Sequence, residues 1–437
     1  MQTLPSTDWE TSLVDGPHTI VVGAGIVGVS TAYYLSRRGR RVTVIEMGDI
    51  GNGASSGNAG IVALGHPPIP RPGLIRQVLG WMLNGSSPVY IRPRFDLALF
   101  RWMWDLKRAC TEEHFCSSME LLTTLGRHTQ SCFEQIFSDE QMSCEYHRTG
   151  WLEVYRTEKG LAQGRRDAEL LERYGFEIQV LDGDEVIRRE PAFKDTVVGA
   201  VHSVESAFVD PMKFLVELAE RARGHGASIR TNTKIVDVLT SDGGVVGVRL
   251  DTGERLEAES VVLAGGIWTT GLARKLGIHV PMQAGKGYHR DITRPSPCVG
   301  IACVLAEDHV AVTPLDDVLR LSGTVEFSGL NHRMVPRRLD MLTAAARHYL
   351  DGLALTQPVN EWCGLRPCTA DGLPVVGWAP APRGLFVATG HARMGLTLGP
   401  VTGKLVSECI LDGRPSIDIT PLRVDRFRSR RYPSRPV

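Results

Sequence analysis

The stretch His18-Thr-Ile-Val-Val-Gly-Ala-Gly-Ile-Val-Gly-Val-Ser-Thr-Ala-Tyr-Tyr-Leu-Ser-Arg-Arg38, with Arg41-Val-Thr-Val-Ile-Glu46 after it, decides the fold. A short apolar run ends in Gly23-Ala-Gly25-Ile-Val-Gly28, a helical pattern follows, and a second apolar run closes on an acid. This is the order of a βαβ unit whose turn holds a dinucleotide. Gly23 permits the tight turn, Gly25 lets a diphosphate approach the backbone, and Gly28 allows the helix to pack close on the strand. Ile26 and Val27 open the helix, where free N–H groups and partial positive charge favour an anion. Glu46, 18 residues past Gly28, suits ribose hydroxyls, and its charge repels a 2′-phosphate.

Working outward, 437 residues exceed one compact core and predict two lobes. Helical patterning runs over Leu74–Leu83, Phe95–Ala109 and Met119–Phe137. Asp210-Pro211 opens an amphipathic helix with an N-cap and a first-turn proline. Strand-like runs follow, including Ser260-Val-Val-Leu, and the chain ends in strand–glycine–helix, with the last helix expected over Pro400–Leu411. The predicted fold class is α/β with an α+β second lobe. A Rossmann-like nucleotide domain is assembled from 18–66, 205–280 and 360–437. A discontinuous, β-rich substrate domain takes 67–204 and 281–359, and 1–17 is a flexible N-terminus.

Glycine-rich elements recur far from the first turn, at Ala264-Gly265-Gly266-Ile-Trp268 and Gly390-His-Ala-Arg-Met-Gly395-Leu-Thr-Leu-Gly399. Such distributed contacts suit FAD, which is longer than the ligand of a simple NAD dehydrogenase. No second G-x-G-x-x-G exists to hold NAD(P)H, so electrons are expected from a substrate lying directly against the flavin.

Composition narrows the partners. Lys+Arg and Asp+Glu both number 49, which argues against nucleic acid and against a general attraction to anionic membranes. The basic run Arg423–Arg431 reads as a solvated terminus. Nine cysteines form no C-x-x-C pair or metal-ligand spacing, so no metal is expected and the compartment is a reducing one. The first fifteen residues lack a secretory pattern, and no apolar run reaches the ~18–20 residues of a membrane span. The expectation is a cytoplasmic protein, at most peripheral on the inner face of the cell membrane.

These motifs, together with Ser55-Ser-Gly-Asn-Ala-Gly60, Arg101-Trp-Met-Trp104, Gly285-Lys-Gly-Tyr288 and Trp362-Cys-Gly-Leu-Arg-Pro-Cys-Thr-Ala-Asp-Gly372, resemble the D-amino acid oxidase/dehydrogenase superfamily of FAD enzymes. Within it they are most similar to the bacterial D-amino acid dehydrogenase (small subunit) branch. The resemblance implies oxidation of a C–N bond beside a carboxylate by hydride transfer to flavin N5. The substrates would be D-amino acids, including cyclic ones such as D-proline or hydroxy-D-proline. An oxidase of the glycine/sarcosine kind and a FAD-bearing electron-transfer subunit are the alternatives. A quinone, the respiratory chain or a partner subunit would take the electrons.

Arg366 resembles the family's carboxylate-binding arginine; the competing reading is a structural pair with Asp371. Arg393 would touch the flavin carbonyls or the substrate carboxylate, or is a surface arginine, and Tyr288 is either a second carboxylate donor or core. Ser55, Asn58, Ala59 and Gly60 would wrap the flavin, with Gly265, Gly266, Met394, Gly395 and Thr397 completing the contacts. Val236 would meet adenine through its backbone. Cys363 and Cys368 raise the possibility of a covalent flavin, but Gly364 stands at the matching position, so FAD is expected to be non-covalent. His66 and His391 are given no catalytic role. The Phe95–Ala109 helix is either buried in the substrate lobe or a peripheral membrane contact.

Overall fold

The computed structural model describes residues 16–82 and 87–427. Most of the expected loose N-terminus, Leu83 and the basic tail from Arg428 onward lie outside the described residues. Strand β1 (His18–Val22), helix α1 (Ile26–Arg37) and strand β2 (Arg41–Ile45) form the expected unit. β1 pairs in parallel with β2 on one side and with Ser260–Leu263 on the other.

Six strands make this sheet, in the order Ser228–Arg230, β2, β1, Ser260–Leu263, Leu385–Thr389, Val375–Trp378. All neighbours are parallel except the last pair. Ile20, Val21, Val261 and Val262 have no exposed surface, as befits a parallel sheet covered on both faces. The Asp210 carboxylate caps its helix as expected, accepting from Met212 and Lys213 N–H. The last helix begins at Gly395, not at Pro400, which lies inside it.

A nine-stranded sheet forms the second lobe. Pro358–Thr369 stands at one edge, followed by Met282–Thr293, Val318–Phe327, Val310–Pro314, Ala302–Leu305, Trp151–Tyr155, Gly199–Ser203 and Ile178–Asp182. Val89–Ile91 pairs beside Val318–Phe327. The expected domain boundary at 360 therefore falls inside a strand of this sheet. Strand alternation gives its two faces opposite tasks. Leu152, Val154, Leu319, Leu321 and Tyr288 share one core with Leu339 and Leu342 of the Pro336–Tyr349 helix. Glu153, Thr313, Arg320, His289 and Trp362 take the other face, by register.

No described helix is long and apolar enough to cross a membrane. Helix Leu97–Ala109 has a mixed environment: Leu99 and Trp102 are buried, while Leu97, Phe100 and Trp104 are exposed.

Candidate active site

At the first turn, Gly23 has φ +104°, and a Cβ there would meet Ala264 O and Gly265 Cα at 2.9 Å. Gly28 is tighter: its Cβ would sit 1.9 Å from Gly23 O. Ala264 and Gly265 are thus brought against the turn despite some 240 intervening residues. The N-cap of α1, Gly25, offers no side-chain cap; Ser55 Oγ reaches across to accept from Ile26 N–H at 3.0 Å. Glu46 accepts from Ala24 N–H at 2.7 Å and from Gly48 N–H at 3.0 Å. Its oxygens keep further lone pairs for hydroxyl donors.

Helix Gly395–Leu411 lies along α1 through two glycines. A Cβ on Gly399 would come within 2.6 Å of Ile26, and one on Gly403 within 2.4 Å of Ser30. This helix also starts without a side-chain cap. Two helix N-termini without a side-chain cap from their own N-cap residue therefore lie together, Gly395 against Ile26, in a cradle that fits a diphosphate and an electron-rich ring. Met394 and Gly395 are half-buried and Thr397 is buried at this start. Val236 occupies a register shift between Ile235 and Asp237, three residues past Thr233, whose N–H bonds Glu46 O. The Val236 carbonyl is occupied by Lys275 Nζ at 2.7 Å.

Across the cleft, the isolated bridge Cys368↔His391 fixes the two arginines, each two residues away from it. Arg366 pairs in register with Gly285, and its guanidinium lies over Gly287, where a Cβ would sit 2.3 Å away. Its Nη1 donates to Thr324 O at 2.9 Å, and burial lowers its pKa. Asp371, the alternative partner, is taken by Arg426 at 2.9 and 3.2 Å. Among the described residues no carboxylate lies within ion-pair distance of Arg366 or Arg393. Arg393 donates from Nη2 to His66 Nδ1 and Pro67 O, both at 3.2 Å. The Arg393 side chain is exposed to solvent, yet the surrounding protein, then Arg71, pushes its pKa down to about 10, and Arg366 contributes to the same repulsion. Burial raises the pKa of Glu153, the acid that most opposes this repulsion.

Tyr288 does not join them. Its side chain is 1% exposed and donates to Glu326 Oε2 at 2.7 Å, on the opposite face of the strand from Arg366. Strand parity dictates this, since Gly287 and Tyr288 must point to opposite faces. Lys286 joins the same buried network through Glu326 and Asn331. The carboxylate-donor reading of Tyr288 is therefore corrected to core. His391 is buried and bonded to Thr402 Oγ1 at 2.9 Å.

Residues 18–409 match the family described as "FAD dependent oxidoreductase". The chain belongs to that family. A D-amino acid dehydrogenase of Phenylobacterium zucineum is 30% identical over 415 residues, 93% of this chain and 96% of that protein. Glycine oxidase from Geobacillus kaustophilus superposes with a TM-score of 0.75 at 23% identity, covering 94% and 99% of the two chains. L-proline dehydrogenase from P. horikoshii gives 0.73 at 18%, covering 95% and 98%. It is therefore an FAD-dependent oxidoreductase, with FAD as its cofactor.

Two features of the family member's site carry no sequence signal. Thr324 has φ +58° where the register with Met282–Thr293 slips, between Gly323 and Glu326. This bulge turns its carbonyl onto Arg366. The Trp362 indole lies between Gly57 and Gly364 and stacks on His289 at 5.3 Å.

Proposed function

We propose that the enzyme dehydrogenates small D-amino acids, with cyclic ones such as D-proline or hydroxy-D-proline among the candidate substrates. The observation that carries the reading is the half-buried guanidinium of Arg366, tied by one nitrogen to Thr324 O and free of any acidic partner among the described residues. An uncompensated interior cation is costly without a ligand anion, and an α-carboxylate matches its planar donors. Arg366, within the strand Pro358–Thr369, and Arg393, in the turn Ala392–Met394, would grip the carboxylate together and orient the α-carbon toward the cradle of the two helix N-termini. When bound, FAD supplies the two-electron acceptor that converts the C–N bond to an imine. Water hydrolyses an acyclic imine to the 2-oxo acid. Positioning carries most of the rate. The D-amino acid dehydrogenase relative supports the choice of enantiomer.

Gly23, Gly25, Ile26, Val27, Gly28 and Glu46 would hold the adenosine diphosphate half, with Val236 at the adenine. Ser55, Asn58, Ala59 and Gly60, with Gly265, Gly266, Met394, Gly395 and Thr397, would hold the flavin half. The attachment is non-covalent in this reading. Burial raises the Cys363 pKa and pushes that of Cys368 up to about 11, so neither thiol is poised as a nucleophile.

Anaerobic mixing with D-alanine, D-proline, hydroxy-D-proline, glycine and sarcosine tests the proposal. D-amino acids should bleach the flavin fastest, and a dye acceptor should outpace peroxide formation. Fastest bleaching by glycine or sarcosine with stoichiometric peroxide would favour the oxidase. Failure of every amine would favour the electron carrier.

A peripheral membrane acceptor is favoured by one surface. Phe95, Leu97, Phe100 and Trp104 are 88%, 58%, 49% and 60% exposed beside Arg101, Lys107 and Arg108. Such a stripe suits an anionic lipid interface. Cosedimentation with phosphatidylglycerol vesicles, lost in Phe95→Ser/Trp104→Ser, is the expected outcome.

A further inference from the structure

Four successive carbonyls of the Ser55–Gly60 loop are held by side chains of the second lobe. Arg320 Nη1 donates to Ser56 O at 3.4 Å and to Asn58 O at 3.1 Å. His289 Nδ1 bonds Gly57 O at 2.9 Å, and Thr313 Oγ1 donates to Ala59 O at 2.6 Å. These donors come from three adjacent strands, and Thr313, Arg320 and Asp291 lie in one transverse row. Asp291 fixes the Arg320 guanidinium bidentately, at 2.8 and 2.9 Å. His289, Asp291, Arg320 and Thr313 are all buried. Burial, followed by the Arg320 charge, pushes the His289 pKa down to about 4. The imidazole is thus neutral near pH 7, and a proton on Nδ1 makes it the donor that a carbonyl requires.

A peptide has its N–H opposite its C=O. With the carbonyls of residues 56–59 drawn toward the sheet, the N–H groups of residues 57–59 are turned away from it, while that of Gly60 is taken by Asn58 Oδ1. Asn58 braces the loop internally, donating to Ser55 O at 2.6 Å and accepting from Gly60 N–H at 2.8 Å. Gly60 has φ +76°, and a Cβ there would strike Val209 O at 2.4 Å.

We propose that Arg320, held by Asp291 and assisted by His289 and Thr313, positions the flavin-side loop from behind. The N–H edge presented to the cofactor is then set by the substrate lobe, not by the nucleotide domain that contains the loop. This rests on the reading above that Ser55–Gly60 touches the flavin. Arg320 acts through the loop and is a positioning residue. A buried ion pair is weak evidence of stabilisation in itself; its use here is to orient peptides.

The test uses the purified holoenzyme. FAD dissociation, the visible flavin spectrum and the reduction potential are measured for wild type and for Arg320→Met, Arg320→Lys, Thr313→Val and Asn58→Ala. Arg320→Met should weaken FAD at least tenfold and shift spectrum and potential. Arg320→Lys should recover part of both, and Thr313→Val should show a smaller change of the same kind. Circular dichroism of the FAD-free proteins checks that folding is retained. If Arg320→Met does not fold, Arg320→Lys and Thr313→Val decide, and wild-type values in both overturn the proposal. Unchanged FAD affinity, spectrum and potential in folded Arg320→Met also overturn it. If Asn58→Ala alters the spectrum while the Arg320 variants do not, the clamp falls and the loop assignment stands. If neither alters it, both fall.

Discussion

At the residue scale, Arg366 shows how a charge is made available. Its strand neighbour Gly287 leaves room for the guanidinium, the Thr324 carbonyl takes one nitrogen, and Arg426 occupies the acid that would otherwise neutralise it. Losing a charged hydrogen bond costs about 1.5–3 kcal/mol, so Arg366→Met should lower kcat/KM for D-amino acids by roughly 10- to 100-fold. FAD content should stay constant, because no cofactor contact is assigned to this side chain. Steady-state kinetics with absorbance at the flavin band checks both. The arginine was legible from its glycine- and proline-flanked motif. Thr324 was not: a β-branched residue at positive φ is disfavoured locally, and only the register slip of two long strands places it there. Tyr288 went the other way, because the face a strand residue takes depends on a register the sequence does not state.

At the scale of elements, the arrangement depends on two helices meeting through missing side chains. Gly403 is the closest approach of the last helix to α1, and a larger residue must push them apart. Overpacking costs about 1–3 kcal/mol or more. Gly403→Leu should therefore lower the melting temperature by several degrees and release FAD, since the two helix N-termini would no longer lie together. Gly28→Ala tests the turn itself: a Cβ 1.9 Å from Gly23 O cannot be absorbed by a rotamer change. It should purify without yellow colour. Both predictions are read by thermal unfolding and by absorbance of the purified protein. The last helix was legible as a glycine-rich strand–helix end. Its start was not, because Pro400 resembles an N-terminal signal, whereas packing on α1 extends the helix back to Gly395.

At the scale of the whole molecule, the proposed FAD site draws on residues from Gly23 to Thr397, so binding should report on the entire fold. FAD at a hundredfold excess over its dissociation constant adds about 2.7 kcal/mol to unfolding, and the midpoint of thermal unfolding should rise accordingly. The pH response has a definite sign. Burial pushes the pKa values of His289 and His391 down to about 4, below the unfolded value of ~6.5. Their contribution is present in full above about pH 6.5 and is lost as pH falls toward 4, because the unfolded chain binds protons first. The loss should reach a few kcal/mol in all. Denaturant unfolding at pH 7.5 and at pH 5 checks it; greater stability at pH 5 would contradict the assignment of both as buried neutral side chains.

The sequence by itself determined that a dinucleotide is held by the first turn. That information is local: a strand, three glycines at fixed spacing and an acid one strand later carry their own geometry. The distant glycine segments and the Arg366 motif also made FAD and a carboxylate-bearing amine readable. The tertiary structure alone decided which side chains come together around Arg366 and which lobe holds the Ser55–Gly60 carbonyls. Both depend on strand register across a nine-stranded sheet, whose pairings join residues from 5 to more than 200 positions apart. A one-residue slip reverses the faces of a strand. The buried His289, Asp291 and Arg320 therefore look like ordinary polar residues in the chain: strand pairing brings Asp291 to Arg320, and packing of the Ser55–Gly60 loop on that sheet brings His289 and Arg320 to the loop carbonyls.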